Sequence, residues 1–201
     1  MADSKPNTQG NRPTVRRSFT RRVVRFLLRG GYHMLAMIGL VSILWPHLAG
    51  YSVIVSGSMK PTLCGEDFET GDRYVYERVT YRLRQPQRWE LIVFRNESGD
   101  LVVKRVVGLP GEKIAISRLG EVYIDYNKIE RPQWMSFIRY YRYGNLMRDQ
   151  APYQCTEGYY VLGDDSRDSD DSRFIGQVMP DEILGRPWFI TWPEEHRGWI
   201  R

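Results

Sequence analysis

The sequence is poor in histidine, the residue that most often activates a serine nucleophile. It has only three: His33 and His47, which fall in an apolar segment, and His196, which lies in a polar C-terminal tail. A Ser-His-Asp triad is therefore disfavoured, with His196 the one histidine that the sequence leaves open. Cysteine is scarcer still. Cys64 and Cys155 could form a disulfide or stay separate thiols, and a Cys64 nucleophile is disfavoured because no base is near it in sequence.

Charge is absent from residues 30–59, which contain no Asp, Glu, Lys or Arg. Within this stretch, residues 32–51 would span roughly 30 Å as a helix, about the thickness of a hydrocarbon core. Tyr32, Trp45 and Tyr51 suit interfacial positions. The segment predicts one transmembrane helix over 32–51. A cleavable secretory signal and a buried core helix are the two alternatives.

The basic residues are concentrated before this segment. Residues 1–29 hold eight Lys or Arg residues against a single Asp, and the rest of the chain is close to neutral. Such a distribution favours a cytoplasmic N-terminus at a membrane over a nucleic-acid-binding protein. It predicts a basic cytoplasmic segment over 1–31 and an extracytoplasmic domain over 52–201.

Short apolar or alternating segments separated by turn residues predict β-structure after residue 71. They are "DRYVYERVTYRL" (72–83), "WELIVFR" (89–95), "LVVKRVVGLPGE" (101–112), "KIAIS" (113–117), "GEVYIDY" (120–126), "GYYVLGD" (158–164) and "RPWFITW" (186–192). No long helical period interrupts them, and one short helix is expected near 181–184. The basic and aromatic stretch 131–148 could grip single-stranded nucleic acid, but a surface loop or a membrane-interface insertion is favoured.

The stretch "SVIVSGSMKPTLC" (52–64) surrounds Ser58 with small residues, so a substrate could approach its hydroxyl. With histidine disfavoured, lysine remains as the candidate base, and it can act only if it is neutral. Lys60 lies in a polar turn, where it would stay charged. Lys104 lies between valines, where burial would lower its pKa, although a solvent-facing strand lysine is the alternative.

Three motifs, "SGSMKPTL", "KRVVGLPGE" and "GDDSRDSDDSRFIG", occur in the order and spacing of type I signal peptidases, and the chain resembles that family over about 32–193. The resemblance implies a mostly antiparallel β catalytic domain after one N-terminal transmembrane helix. It implies that Ser58 is the nucleophile and Lys104 the general base, without a metal or cofactor. The supporting residues that it implies are Ser56 in the oxyanion hole, Ser169 orienting the lysine, Asp164, and an Asp171–Arg173 ion pair.

Two departures from the family pattern fall in the last motif. The family often has Gly-Asp-Asn-Arg where this chain has "GDDS" (163–166), and an aromatic-Trp-Gly ending where it has "FIG" (174–176). The acidic residues of this motif could instead form a Ca²⁺ loop, but EF-type spacing and a terminal glutamate are absent. Arg167 and Arg173 offer the acids ion-pair partners, so no metal is predicted.

These features predict a single-span serine endopeptidase of the plasma membrane, with its catalytic domain on the outer face. Its expected partners are signal-peptide-bearing preproteins and the lipid bilayer, and no nucleic acid. Two alternatives remain. One is a specialised relative, such as a pilin-processing peptidase or a self-cleaving regulator. The other is a membrane-anchored β-domain that binds preproteins without cutting them.

Overall fold

The computed structural model describes residues 16–147 and 151–200 of the chain. The chain divides into two compact units, residues 1–45 and 46–201. The described part of the first unit is helical and belongs to α1 (Arg16–Leu48), which ends just inside the second unit. Part of the predicted cytoplasmic segment 1–31 and Arg148 of the stretch 131–148 lie outside the described residues.

Helix α1 is long and apolar enough over Arg21–Leu48 to cross a membrane. Its apolar side chains from residue 21 onward are mostly exposed, as expected for a surface that lipid would cover. The helix ends at Leu48 and strand β1 begins at Ala49, so the last three residues of the predicted span are extended instead. Pro46 lies in the final turn, where a break leaves little of the helix beyond it.

In the residues that the structure describes, the second unit has eleven strands in two sheets, and every pairing between them is antiparallel. The mostly antiparallel β fold that the family resemblance implied is therefore confirmed. The first sheet has the order β1-β2-β10-β3-β4-β9, with β11 paired to β10, and the second has the order β7-β6-β5-β8. The strands are β1 (Ala49–Val53), β2 (Arg73–Glu77), β3 (Leu91–Arg95), β4 (Leu101–Gly108), β5 (Lys113–Ile116), β6 (Val122–Ile124), β7 (Asn127–Lys128), β8 (Tyr153–Gln154), β9 (Tyr160–Leu162), β10 (Ile183–Trp192) and β11 (Gly198–Trp199).

Two predicted segments differ from what the structure shows. The alternating stretch 72–83 forms β2 and then turns into the short helix α2 (Thr80–Leu83). The carboxylate of Glu77 accepts hydrogen bonds from the backbone N–H groups of Val79 and Thr80, which ends the strand and starts the helix. The helix expected near 181–184 is one 3₁₀ turn, Pro180–Glu182, followed at once by β10.

Buried apolar side chains of the two sheets form separate core clusters, one of which includes the loop that carries Ser58. One cluster joins Met59 and Leu63, which follow Ser58, to Tyr74, Leu91 and Val103 on the first sheet. Another packs the inner face of the second sheet against β4 and β9; its members include Val107, Ile114, Ile124, Tyr140, Cys155 and Leu162. The loop that carries Ser58 is thus anchored by buried side chains on the same sheet that carries Lys104.

Candidate active site

Ser58 lies in a single 3₁₀ turn, Gly57–Met59, that follows β1. Its backbone carbonyl accepts a hydrogen bond from the N–H of Asp165, which joins this turn to the acidic loop 163–171. Gly163 packs so closely against the carbonyl of Ser58 and the hydroxyl of Ser169 that a Cβ there would overlap both. The glycine that begins the last motif is therefore required by close backbone approach, and it fixes where Ser58 stands.

Lys104 reaches Ser58 from the middle of β4, where Ile92 of β3 lies opposite it in register. Its Nζ lies 2.6 Å from the Ser58 Oγ, which is hydrogen-bonding distance. The residue is 3% exposed, and burial lowers the pKa of its ammonium group to about 8, although the nearby carboxylates of Asp171 and Asp170 oppose the shift. A substantial fraction of Lys104 is therefore neutral near physiological pH, and a neutral amine can accept the proton of the serine.

The other bases that the sequence left open are not at Ser58. The ammonium group of Lys60 lies 2.6 Å from the Glu66 carboxylate, and that hydrogen bond raises its pKa, so Lys60 stays charged. His33 and His47 lie on α1, and His196 lies 3.0 Å from the carboxylate of Asp72. Among the described residues, Lys104 is the basic side chain that contacts the serine.

Ser56 lies beside Ser58, with the two hydroxyl oxygens 3.1 Å apart. In that position its hydroxyl can donate to an oxygen that develops charge as Ser58 attacks a carbonyl. An open cleft of about 670 Å³ runs from this point between residues 52–59 and 99–104, and its lining includes Ser56, Ser58 and Lys104. An extended peptide can therefore reach the hydroxyl of Ser58 through this cleft.

We predict that Ser56→Ala lowers kcat by about 10²–10³-fold and changes KM little, because an oxyanion donor acts mainly in the transition state. Steady-state kinetics on a signal-peptide substrate would measure this. Ser98→Ala, which removes an exposed hydroxyl from the turn after β3, is the matched control and should behave as wild type. A wild-type kcat for Ser56→Ala would place this serine outside the catalytic step.

The carboxylate of Asp171 organises the loop behind the lysine. It forms a bidentate ion pair with Arg173, with Nε–Oδ1 and Nη2–Oδ2 distances of 2.7 Å, and both side chains are fully buried. The same carboxylate accepts hydrogen bonds from the backbone N–H of Gly163 and from the Ser169 hydroxyl, at 2.9 and 2.7 Å. The structure thus brings the predicted Asp171–Arg173 pair together. The Ser169 hydroxyl, which was expected to orient the lysine, donates its hydrogen bond to Asp171 instead. The described part of the chain contains no Ser169–Lys104 hydrogen bond.

The last predicted residue, Asp164, is fully buried and pairs with Arg105 through two hydrogen bonds of 2.8 and 2.6 Å. Its carboxylate also accepts a hydrogen bond from Thr62, on the loop after Ser58. Asp164 and Asp171 are thus each paired with an arginine. Cys64 and Cys155 are separate free thiols, and burial raises the pKa of Cys64, which disfavours it as a nucleophile.

Sequence reasoning missed two buried residues of this region. Arg105, next to Lys104 in the second motif, was given no role from the sequence, yet it is completely buried against Asp164. Ser166, where the family often has arginine, is also buried. Its hydroxyl accepts hydrogen bonds from the side chain of Arg173 and from the backbone N–H of Tyr141. The sequence feature that could have indicated a buried Arg105 is a second cation, next to Lys104, in a strand rich in valine.

A sequence model of the family described as "Signal peptidase, peptidase S26" matches residues 27–192. The chain belongs to this signal peptidase family. It is 33% identical over 152 residues to a probable signal peptidase I-2 of Synechocystis sp. (strain ATCC 27184 / PCC 6803 / Kazusa), a match that covers 72% of this chain and 64% of that protein. It is 30% identical over 151 residues to signal peptidase I of Bacillus caldolyticus, covering 70% of this chain and 78% of that protein.

A crystal structure of a signal peptidase I from Enterococcus faecalis V583 is 29% identical, with a TM-score of 0.42, and covers 51% of this chain and 97% of that one. Family membership makes the chain a signal peptidase I type of enzyme, a serine peptidase that cleaves signal peptides. Its N-terminal apolar helix is consistent with the membrane anchoring expected of such an enzyme. The family assignment leaves open which residues of this chain perform the chemistry.

Proposed function

We propose that this chain removes N-terminal signal peptides from exported preproteins with Ser58 as nucleophile and Lys104 as general base. The observation that carries the proposal is the 2.6 Å contact between the Lys104 Nζ and the Ser58 Oγ, made by a buried lysine whose pKa is lowered to about 8. Neutral Lys104 accepts the proton of Ser58 as its oxygen attacks the scissile carbonyl. The lysine then protonates the leaving amine and later activates the water that hydrolyses the acyl-enzyme.

The remaining residues support this pair in distinct ways. Ser56 and the backbone N–H of Ser58 stabilise the oxyanion. Asp171, through Gly163 and Ser169, holds the loop that lies against the carbonyl of Ser58. No metal or cofactor takes part in these steps. The proposed substrate is an extended segment, because the cleft beside Ser58 is bordered by the strand-like residues 52–56 and by β4.

The experiment that tests this proposal is processing of a purified preprotein by the full chain in detergent micelles. We expect one new N-terminus. The residues one and three positions before the cut should both face the enzyme, because residues two apart on a strand face the same side, and the resemblance to the family implies that both are small. Ser58→Ala should yield no product, with Ser98→Ala as the serine-removal control. Binding of the preprotein by wild type without any cut would support the alternative of a non-enzymatic β-domain. Cutting confined to a pilin precursor or to the chain itself would support a specialised relative.

We further propose that the chain crosses the plasma membrane once, with its N-terminus in the cytoplasm and residues 52–201 on the outer side. The support is the concentration of arginines before and at the start of Arg21–Leu48, since basic flanks stay on the cytoplasmic side. A protease added to spheroplasts should digest the domain after residue 51 and leave residues 1–29 protected. Protection of the domain would reverse the orientation, and a soluble form that begins near residue 51 would indicate a cleaved signal.

A further inference from the structure

Asp72 closes the base of the loop that carries Ser58. Its backbone carbonyl accepts a hydrogen bond of 2.9 Å from the N–H of Ile54, before the serine, and its own N–H donates one of 2.8 Å to the carbonyl of Cys64, after it. Its side chain adds a third link, because Oδ2 accepts a hydrogen bond of 2.7 Å from the N–H of Cys64. The two ends of the loop 54–64 are therefore joined through one residue.

The Asp72 carboxylate is buried without a permanent cation. The residue is 1% exposed, and in the described part of the chain its one ion-pair partner is His196, with Oδ1 and Nδ1 3.0 Å apart. The other two fully buried carboxylates, Asp164 and Asp171, each have a bidentate arginine. A buried carboxylate is stabilised by a nearby positive charge, and a bound metal ion is one source of such a charge.

A third donor group faces this carboxylate. The ligand atoms of Cys64, Asp72 and His196 all lie within 4.8 Å of one another. Thiolate sulfur, imidazole nitrogen and carboxylate oxygen are the donors that zinc prefers, at about 2.3, 2.0 and 2.1 Å, so ligand atoms around a tetrahedral zinc ion lie about 3.3–3.8 Å apart. The 4.8 Å limit exceeds this range by on the order of 1 Å, and the 3.0 Å between Asp72 Oδ1 and His196 Nδ1 is slightly shorter than it. The ligands must therefore shift by less than a side-chain length, and the most exposed of them is His196, 47% exposed on the 3₁₀ turn Glu194–His196.

We propose that Cys64, Asp72 and His196 form a zinc-binding site that ties the C-terminal segment to the loop carrying Ser58. Binding exchanges the thiol proton of Cys64, released to solvent, for a sulfur–metal bond. Asp72 binds through Oδ1 and keeps the Oδ2 hydrogen bond from the N–H of Cys64, which fixes the carboxylate for the metal. Water completes the coordination sphere, because the exposed side of His196 leaves the site open.

The ion at this site takes no part in the proposed chemistry. In the described structure no hydrogen bond or ion pair joins its three ligands to Ser58 or Lys104, which are linked to each other by the hydrogen bond between Nζ and Oγ. The metal places a permanent positive charge beside the buried Asp72 and holds together the ends of the loop 54–64. We therefore expect metal binding to raise the melting temperature of the folded protein and to leave the chemistry of the Ser58–Lys104 pair unchanged.

The test is a titration of the metal-depleted full chain in detergent micelles with Co²⁺, followed by addition of Zn²⁺. We expect a thiolate-to-cobalt charge-transfer absorption that saturates at one equivalent and disappears as Zn²⁺, the tighter binder, displaces Co²⁺. Cys64→Ser should abolish the absorption. His196→Gln should weaken Co²⁺ binding by at least roughly tenfold, since even the loss of a residue that only orients a ligand costs that much.

Matched controls come from the remaining thiol and a distant histidine. Cys155→Ala and His47→Gln should bind Co²⁺ as wild type does. Zn²⁺ should raise the melting temperature of wild type and of both controls but not of Cys64→Ser. If Cys64→Ser does not fold, the test rests on His196→Gln, which alters an exposed side chain and should still weaken Co²⁺ binding. Absence of the charge-transfer absorption in wild type, or its persistence in Cys64→Ser, would overturn the site. Peptide cleavage is assayed separately. Failure of metal binding would therefore leave the proposed peptidase activity standing, and failure of cleavage would leave the metal site standing.

Discussion

Lys104→Ala is expected to lower kcat for preprotein cleavage by roughly four to six orders of magnitude, the range seen when a nucleophile–base unit loses one member. The physical reason is that the Ser58 hydroxyl then has no group within hydrogen-bonding distance that can take its proton. Lys60→Ala should keep most of the activity, because Lys60 is paired with Glu66 and stays charged. The two variants are well matched, since each removes one lysine from the neighbourhood of Ser58.

The double variant Ser58→Ala/Lys104→Ala should be no slower than either single variant, because the two side chains act as one unit. Single-turnover cleavage with excess enzyme measures all of these rates. Activity retained in Lys104→Ala and lost in Lys60→Ala would reverse the assignment of the base. Losses that multiply in the double variant would mean that the two residues act independently.

Asp164→Asn is expected to destabilise the folded domain by about 3–5 kcal/mol, the cost of leaving a buried ionic partner uncompensated. Arg105 is fully buried, and Asp164 is the carboxylate that pairs with it. Replacing both members with apolar residues, in Arg105→Met/Asp164→Leu, should recover most of that loss, because no buried charge remains. Denaturation of the full chain in micelles, followed by tryptophan fluorescence, measures the change.

Glu66→Gln is the control for this prediction. It breaks an ion pair of similar length, between Lys60 and Glu66, but on the surface, and no measurable loss of stability is expected. If Asp164→Asn unfolds at the same denaturant concentration as Glu66→Gln, the buried pair does not stabilise the domain. If the double apolar variant is as unstable as Asp164→Asn, packing of the side chains and not charge accounts for the loss.

The β fold could be predicted from the sequence because its strands are short, apolar or alternating, and separated by turn residues. The segments expected at 89–95 and 101–112 contain β3 and β4, and the part of the predicted span before residue 49 lies in helix α1. The prediction failed where a local hydrogen bond opposed the pattern. In 72–83 the alternation continues past residue 77, but the carboxylate of Glu77 caps the next turn and makes it helical.

The family resemblance implied Ser58 and Lys104 as the candidate pair; the small residues around the serine and the valines around the lysine agree with it, but that local pattern also allowed a solvent-facing lysine. Contacts between distant parts of the chain were not accessible. The partner of Arg105 is Asp164, 59 positions away, and that of Asp72 is His196, 124 positions away. Likewise, the sequence could not show that the hydroxyl of Ser169 points to Asp171, two residues on, since loop conformation decides it.

The pH dependence of kcat/KM tests most directly whether neutral Lys104 is the base, because this ratio reports the ionisation of the free enzyme. Burial lowers the pKa of Lys104 to about 8, so the active, neutral form is lost as the pH falls through that value. The account predicts a plateau above about pH 8 and a decline of about tenfold per pH unit below it. A midpoint near 6.5, the ordinary pKa of histidine, or a rate that stays constant down to pH 6, would contradict it.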